Sequence, residues 1–161
     1  MGLAAASRAV IHHVSGDMFD RAADVRVVTI NCVGVSGAGV ALAFKLRYPA
    51  LHVAYRAACR RGEVQIGRIF EWRAPDGTLV LGLPTKRHWR MPSEIEDVRA
   101  GLAALAERLR PLGSVSVVLP AAGCGHGGLS WDAVRPMVEE LLGGLEAEIY
   151  AYQPADSRRY R

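Results

Sequence analysis

The stretch Val25-Arg-Val-Val-Thr-Ile-Asn31-Cys-Val-Gly34-Val-Ser-Gly37-Ala-Gly39-Val-Ala-Leu-Ala-Phe44-Lys-Leu46 decides the fold. Its first seven residues form a nearly continuous β-branched run, the pattern of a strand buried on both faces. A glycine-rich loop follows, and Val40 to Leu46 read as a helix that stops before Pro49, because a residue preceding proline is biased out of the α region. A buried strand that feeds a helix through a tight loop is a building block of a parallel α/β sheet.

Outward from this block the pattern repeats. Upstream, Ala9–Val14 is a second strand, joined to the first through the turn Ser15-Gly16-Asp17-Met18. Downstream, a helix over Ala50–Arg61 ends at Gly62, a residue suited to the C′ position. Arg68–Arg73 and Thr78–Leu83 flank Pro75-Asp76-Gly77 as a hairpin. Ser93-Glu-Ile-Glu96 has the form of a capping box; it opens a helix with Ile95, Val98, Leu102, Leu105 and Leu109 at helical spacing, closed by Gly113. Ser114–Leu119 is another buried strand, followed by a second glycine loop, Ala121-Ala-Gly123-Cys-Gly125-His-Gly127-Gly128. A helix from about Ser130 to Gly143 and a strand over Glu148–Tyr152 complete the order, and the tail after Pro154 is expected to fray. The succession β-β-α-α-β-β-α-β-α-β predicts a three-layer α/β/α domain around a mixed, largely parallel six-stranded sheet.

A length of 161 residues suits one domain spanning 1–161. Half of the residues are apolar and 22% are charged, which excludes a disordered chain. No apolar run is long enough to cross a bilayer. Met1–Ala6 is leader-like, but Arg8, His12 and His13 interrupt it before an apolar segment forms, so a cytoplasmic protein is expected. Cys32, Cys59 and Cys124 are odd in number and lack a CxxC pair, which argues against a disulfide framework and against zinc. His12 and His13 are neighbours on a strand and point to opposite faces, where they cannot share an ion. No metal and no cofactor are expected. Of the twenty basic residues behind the net charge of +4, only Lys45 and Lys86 are lysines. In so arginine-rich a chain a lysine suggests a need for an amine, since arginine cannot be deprotonated; for Lys45 chance survival is the simpler reading.

Ligands of open α/β sheets bind beyond the carboxyl ends of the strands. Here two glycine loops follow two buried strands, and each feeds a helix. Successive N–H groups in such loops attract anions, so two facing loops can hold a diphosphate without lysine or metal. Neither loop is a P-loop, and neither is a Rossmann fingerprint with its distant acidic residue.

Three segments together, Asn31–Lys45, Pro84-Thr-Lys-Arg-His-Trp-Arg90 and Gly123–Trp131, resemble the macrodomain family in its DarG-type and terminal ADP-ribose glycohydrolase-like (ALC-like) branch. The resemblance runs from Gly16-Asp17 to Tyr152-Gln-Pro154. It implies an ADP-ribosyl glycohydrolase that acts at C1″ of the distal ribose and removes ADP-ribose from thymidine in DNA or from acidic side chains of proteins. It also implies the site. Asp17 accepts from the adenine amino group, with Met18 near the ring, and Tyr152 stacks on adenine. Gly37, Ala38, Gly39, Val40, Thr85 and the loop Gly123, Cys124, Gly125, His126, Gly127 and Gly128 surround the diphosphate and distal ribose. Asn31 bonds that ribose, and Lys86 lies beside the anomeric carbon. His126 is the nearest titratable candidate for acid–base work.

Read from the residues alone, each position has a plainer alternative. Asp17 is also a turn-stabilising residue, Tyr152 a core aromatic, Asn31 a strand cap, Lys86 a surface lysine and His126 a loop residue without a role. Arg87, His88, Trp89 and Arg90 are either a nucleic-acid contact or a structural turn with one buried tryptophan. Gly127 stands where the human relative has a carboxylate, and Ser36 and Ala38 stand where DarG proteins have Met and Lys. A monomer without the toxin-binding second half of DarG is expected. A reader module that binds ADP-ribose without cleaving it stays open, as does an unrelated nucleotide-binding α/β protein.

Overall fold

A computed structural model of the chain describes residues 10–154. The leader-like opening, Ala9 at the predicted start of the first strand, and the tail after Pro154 lie outside the described residues. Six strands, β1 (Val10–Val14), β2 (Val25–Asn31), β3 (Phe70–Arg73), β4 (Leu79–Lys86), β5 (Ser116–Leu119) and β6 (Glu148–Tyr152), form one sheet. Its spatial order is β1-β6-β5-β2-β4-β3, and every pair is parallel except β3 with β4. The helices are α1 (Gly39–Arg47), α2 (Pro49–Arg60), α3 (Ile95–Leu109) and α4 (Trp131–Leu142). The three-layer, mixed and largely parallel sheet predicted from the sequence is the one observed.

Strand alternation divides the core. Val25, Val27, Leu79, Leu81, Leu83, Val117 and Ile149 face α3 and α4, where Val98, Leu102, Leu105, Val134 and Val138 cover them. Val28, Ile30, Val80, Val118 and Tyr152 face α1 and α2, against Phe44, Leu51, Tyr55 and Ala58. Burial on both faces explains the continuous apolar pattern of β2.

Local signals act as the residues dictate. Tyr48, ahead of proline, leaves the helical region at φ −130° and ψ 79°, and Pro49 opens α2. Gly62 takes φ +71° and closes α2 with paired bonds, Gly62 N–H to Cys59 O and Glu63 N–H to Ala58 O, both 3.0 Å.

Two expectations need correction. The capping box does not form: α3 begins at Ile95 with Glu94 as N-cap, and no side chain caps it. Ser93 is held elsewhere, its amide donating to Gly127 O at 3.0 Å and its side chain buried under the second glycine loop. The fourth strand does not stop at Leu83 but runs through Pro84 and Thr85 to Lys86. Pro84 fits because β4 pairs in parallel with β2 through a register irregularity at its end.

Candidate functional site

The carboxyl ends of β2 and β4 set the centre of the site. The register aligns Asn31 with Lys86, and Cys32 N–H donates to Lys86 O at 3.1 Å. Lys86 is half-buried, and its Nζ donates to Trp89 O at 3.2 Å. Burial lowers its amine below the ordinary lysine value, and no carboxylate counters that effect.

Asn31 is buried and organises the loop behind it. Its Oδ1 accepts from the amides of Val33 (3.1 Å), Gly34 (3.1 Å) and Val35 (3.3 Å), while Nδ2 donates to Val35 O at 2.8 Å. Tyr55 on α2 donates to both Asn31 O (2.6 Å) and Oδ1 (2.8 Å). The strand-cap role is therefore realised, and one N–H of Nδ2 remains for a ligand. Beyond this anchor, the amides of Gly37, Ala38, Gly39 and Val40 have no acceptor among the described residues. Ala38 is the N-cap of α1 and has no side chain that caps it, so the first turn keeps its free donors.

The second loop is braced by Cys124 N–H to Ala121 O (3.1 Å), Gly128 N–H to Gly125 O (3.1 Å) and Leu129 N–H to Gly123 O (2.9 Å). The amides of Gly125, His126 and Gly127 have no acceptor among the described residues, a run of donors suited to an anion. Unlike α1, α4 is already capped: Ser130 Oγ accepts from Asp132 N–H at 3.2 Å. The free donors of this loop are thus the loop amides themselves, not the helix end. Burial pushes the Cys124 thiol up to about 11, which keeps it protonated and unreactive near neutral pH. The two loops do face each other, since a methyl group at Gly39 would lie 3.5 Å from His126 Cδ2. Thr85 is buried on β4 at the same end of the sheet.

An open cleft of ≈ 540 Å3 lies at the ends of β1 and β6, lined by Ser15, Gly16, Asp17, Asp20, Arg21, Ala22 and Tyr152. Asp17 is exposed there and already accepts from Phe19 N–H at 2.9 Å, so its turn-stabilising role is real and leaves the other oxygen free. Met18 buries its side chain in the core. Tyr152 is 7% exposed, mostly core but present on the cleft wall. The buried Arg26 of β2 ties the turn down by donating to Met18 O (2.6 Å) and to Arg21 O.

This arrangement of two facing glycine loops with free amides at the end of a six-stranded mixed sheet has counterparts. The family model for the Macro domain matches residues 27–138. The chain belongs to the macrodomain family. It is 41% identical over 152 residues to the DNA ADP-ribosyl glycohydrolase of Thermus aquaticus, covering 92% of this chain and 42% of that protein. The chain thus spans under half the length of the curated relative it matches. The solved macrodomain of Thermus aquaticus DarG superposes with a TM-score of 0.85 at 42% identity, over 91% of this chain and 99% of that one. Thermosipho africanus DarTG, solved in complex with ADP-ribose, gives 0.82 at 33% identity, over 90% of this macrodomain and 42% of that chain.

The macrodomain also reveals what sequence reasoning missed. Tyr55 belongs to the apolar face of α2, and nothing in its spacing announces a hydroxyl committed to Asn31. Arg26 is hidden in a β-branched run. Ser36 Oγ lies 3.1 Å from His52 Nδ1, a second tie between the first loop and α2. In the Pro84–Arg90 segment, Trp89 is 44% exposed, which removes the reading of a turn around one buried tryptophan. Arg87 is paired bidentately with Asp97 of α3 (Nε to Oδ2 and Nη2 to Oδ1, both 3.0 Å) and is not a free phosphate contact. Among the described residues no helix is long and apolar enough to cross a membrane.

Proposed function

We propose that this macrodomain binds ADP-ribose across the two loops and hydrolyses its link at C1″ of the distal ribose, with thymidine-linked ADP-ribose in DNA as substrate. The names of its relatives and the solved ADP-ribose complex of one of them support the ligand and the reaction. Asp17 and Tyr152 serve the adenine end, with the Met18 amide near the ring. The free amides of Gly37–Val40 and Gly125–Gly127 serve the diphosphate and distal ribose, with Thr85, Cys124 and Gly128 lining the pocket. Asn31 orients that ribose and holds the first loop. The cytoplasm is the compartment this reading fits, and a monomer suffices for it.

The observation that carries the proposal is Lys86: an amine with a burial-lowered pKa, beside Asn31, without a carboxylate partner. As the neutral amine it attacks C1″. The bond from C1″ to the base breaks, its electron pair leaves with the base, and the proton that the amine gives up passes to the departing base. Water then releases ADP-ribose and regenerates the amine. His126 stands against the first loop and is the candidate to move those protons. The absence of a side chain at Gly127 favours a second reading, a module that binds ADP-ribose and catalyses nothing.

The test is single-turnover release of ADP-ribose from thymidine-modified DNA and from a protein modified on glutamate, with wild type and Lys86→Ala. Release lost in the variant with ADP-ribose affinity kept is the expected outcome, and preference for the DNA settles the linkage. The pH profile adds the sign. The neutral fraction of Lys86 grows as pH rises through its lowered pKa, so the rate climbs and levels off below the ordinary lysine value of 10.5. Binding without release by wild type leaves the reader module.

A further inference from the structure

The segment that follows Lys86 forms a surface outside the residues assigned above to ADP-ribose. Trp89 is 44% exposed and Met91 51% exposed, two large apolar side chains close together at the surface. His88 stacks on Trp89 with ring centroids 5.7 Å apart and planes 26° from parallel. The Arg90 guanidinium lies over the Trp89 ring, 4.6 Å from its centroid. Three consecutive flat groups thus form a short stack at the surface, with Trp89 in contact with both of its neighbours and itself 44% exposed. The stack is held in place: Met91 N–H donates to His88 O at 3.1 Å, Arg90 N–H approaches His88 Nδ1 at 3.1 Å, and Lys86 Nζ reaches Trp89 O at 3.2 Å. Arg87 anchors the segment from below through Asp97, which is only 8% exposed. That pair neutralises Arg87, whereas Arg90 has no carboxylate partner among the described residues.

We propose that the His88–Trp89–Arg90 stack is a nucleobase platform that holds the base next to the modified one and so sets the preference of the Lys86 site for nucleic acid. The inference rests on the glycohydrolase reading above. A base joined to the carbon that Lys86 attacks sits at the amine, and the platform begins two residues beyond, at His88, where the strand continues. Flat aromatic and guanidinium surfaces stack on any base, because every base has a π-face, and Arg90 adds a cation for the backbone. An acidic peptide is a poorer occupant: it offers no flat groups, and the stack itself has one unpaired cation to attract it.

Turnover by wild type, Trp89→Ala and Trp89→Phe is compared on the ADP-ribosylated thymidine mononucleoside, on a short single strand carrying the same modification, and on a glutamate-modified peptide. Wild type is expected to prefer the strand to the mononucleoside. Trp89→Ala lowers kcat/KM on the strand by ~10-fold, the loss of about one base stack. It leaves the mononucleoside and peptide rates unchanged, and Trp89→Phe restores most of the strand rate. Equal rates on the strand, or an equal loss on all three substrates, overturn the platform while leaving the glycohydrolase standing. If wild type releases nothing from any substrate, that reading fails instead. The platform is then judged by binding of an unmodified single strand, with equal affinity for wild type and Trp89→Ala overturning it.

Discussion

Gly125 and Gly127 lie two positions apart in one loop and differ in what surrounds them. A methyl group at Gly125 meets nothing within 4 Å, whereas one at Gly127 would stand 2.3 Å from Ser93 Oγ and 2.4 Å from Gly123 O. Neither glycine has a positive φ, so the contrast is one of space, not of backbone conformation. The Gly123 carbonyl is fixed because it accepts from Leu129 N–H at 2.9 Å, and Ser93 is fixed because its amide bonds Gly127 O. Gly127→Ala must therefore move the loop, at a cost of about 1–3 kcal/mol, and it weakens ADP-ribose binding by displacing the amides of residues 125–127. Gly125→Ala stays within about 0.5 kcal/mol of wild type. Urea melts and calorimetry of the two variants check this, and equal behaviour would remove the steric argument. The same geometry bears on the carboxylate that the resemblance places at this position in the human relative. Ser93 occupies that room here, so a carboxylate cannot simply be grafted back.

At the scale of elements, the first loop is shaped from α2. Tyr55 is 2% exposed, and its hydroxyl reaches the Asn31 carbonyl and side chain at once. Burial, its largest influence, raises the phenol above its ordinary value, so it donates at all working pH values. Tyr55→Phe keeps the ring and leaves a buried carbonyl one donor short, which costs about 1–3 kcal/mol. It also frees Asn31 Oδ1 from its link to the helix and raises the KM for substrate more than it lowers kcat. A melt together with steady-state kinetics decides, and an unchanged KM would separate the loop from its anchor. This contact also shows where sequence reading stops. The strands β2 and β6 were legible to the residue, β2 because burial on both faces writes a nearly continuous apolar run. The end of β4 was not, because Pro84-Thr-Lys86 carries the polarity of a site and the pairing that extends it comes from a neighbouring strand. Ser93 fits a capping pattern locally, yet the second loop claims it from a distance. Lys86 stood out because lysine is rare in this chain, and the role proposed for it starts from that; Tyr55 and Arg26 did not stand out, since their polar ends act inside apolar patterns.

For the whole molecule, the sheet separates two cores, and the two loops belong to different sides of it. The first loop leads into α1 and is held by α2, whereas the second is braced by Ser93 ahead of α3 and leads into α4. Beyond the sheet, the close approach of Gly39 to His126 brings them together. A ligand whose phosphates take amides from both loops therefore couples the two sides, and a fragment that fills only the Asp17–Tyr152 cleft does not. ADP-ribose at 100 times its Kd is expected to stabilise the fold by about 2.7 kcal/mol. For a domain of this size that raises Tm by roughly 5–10 °C. AMP at the same saturation raises Tm as well, by the same linkage, so the melt alone does not distinguish them. Hydrogen exchange does. ADP-ribose slows exchange at the amides of Gly37–Val40 and of Gly125–Gly127 together, whereas AMP slows neither set. The effect is expected to persist in a chelator, because the proposed donors are backbone amides. Protection of one loop without the other would mean that the diphosphate rests on a single helix end, and the facing-loop cradle would have to be abandoned.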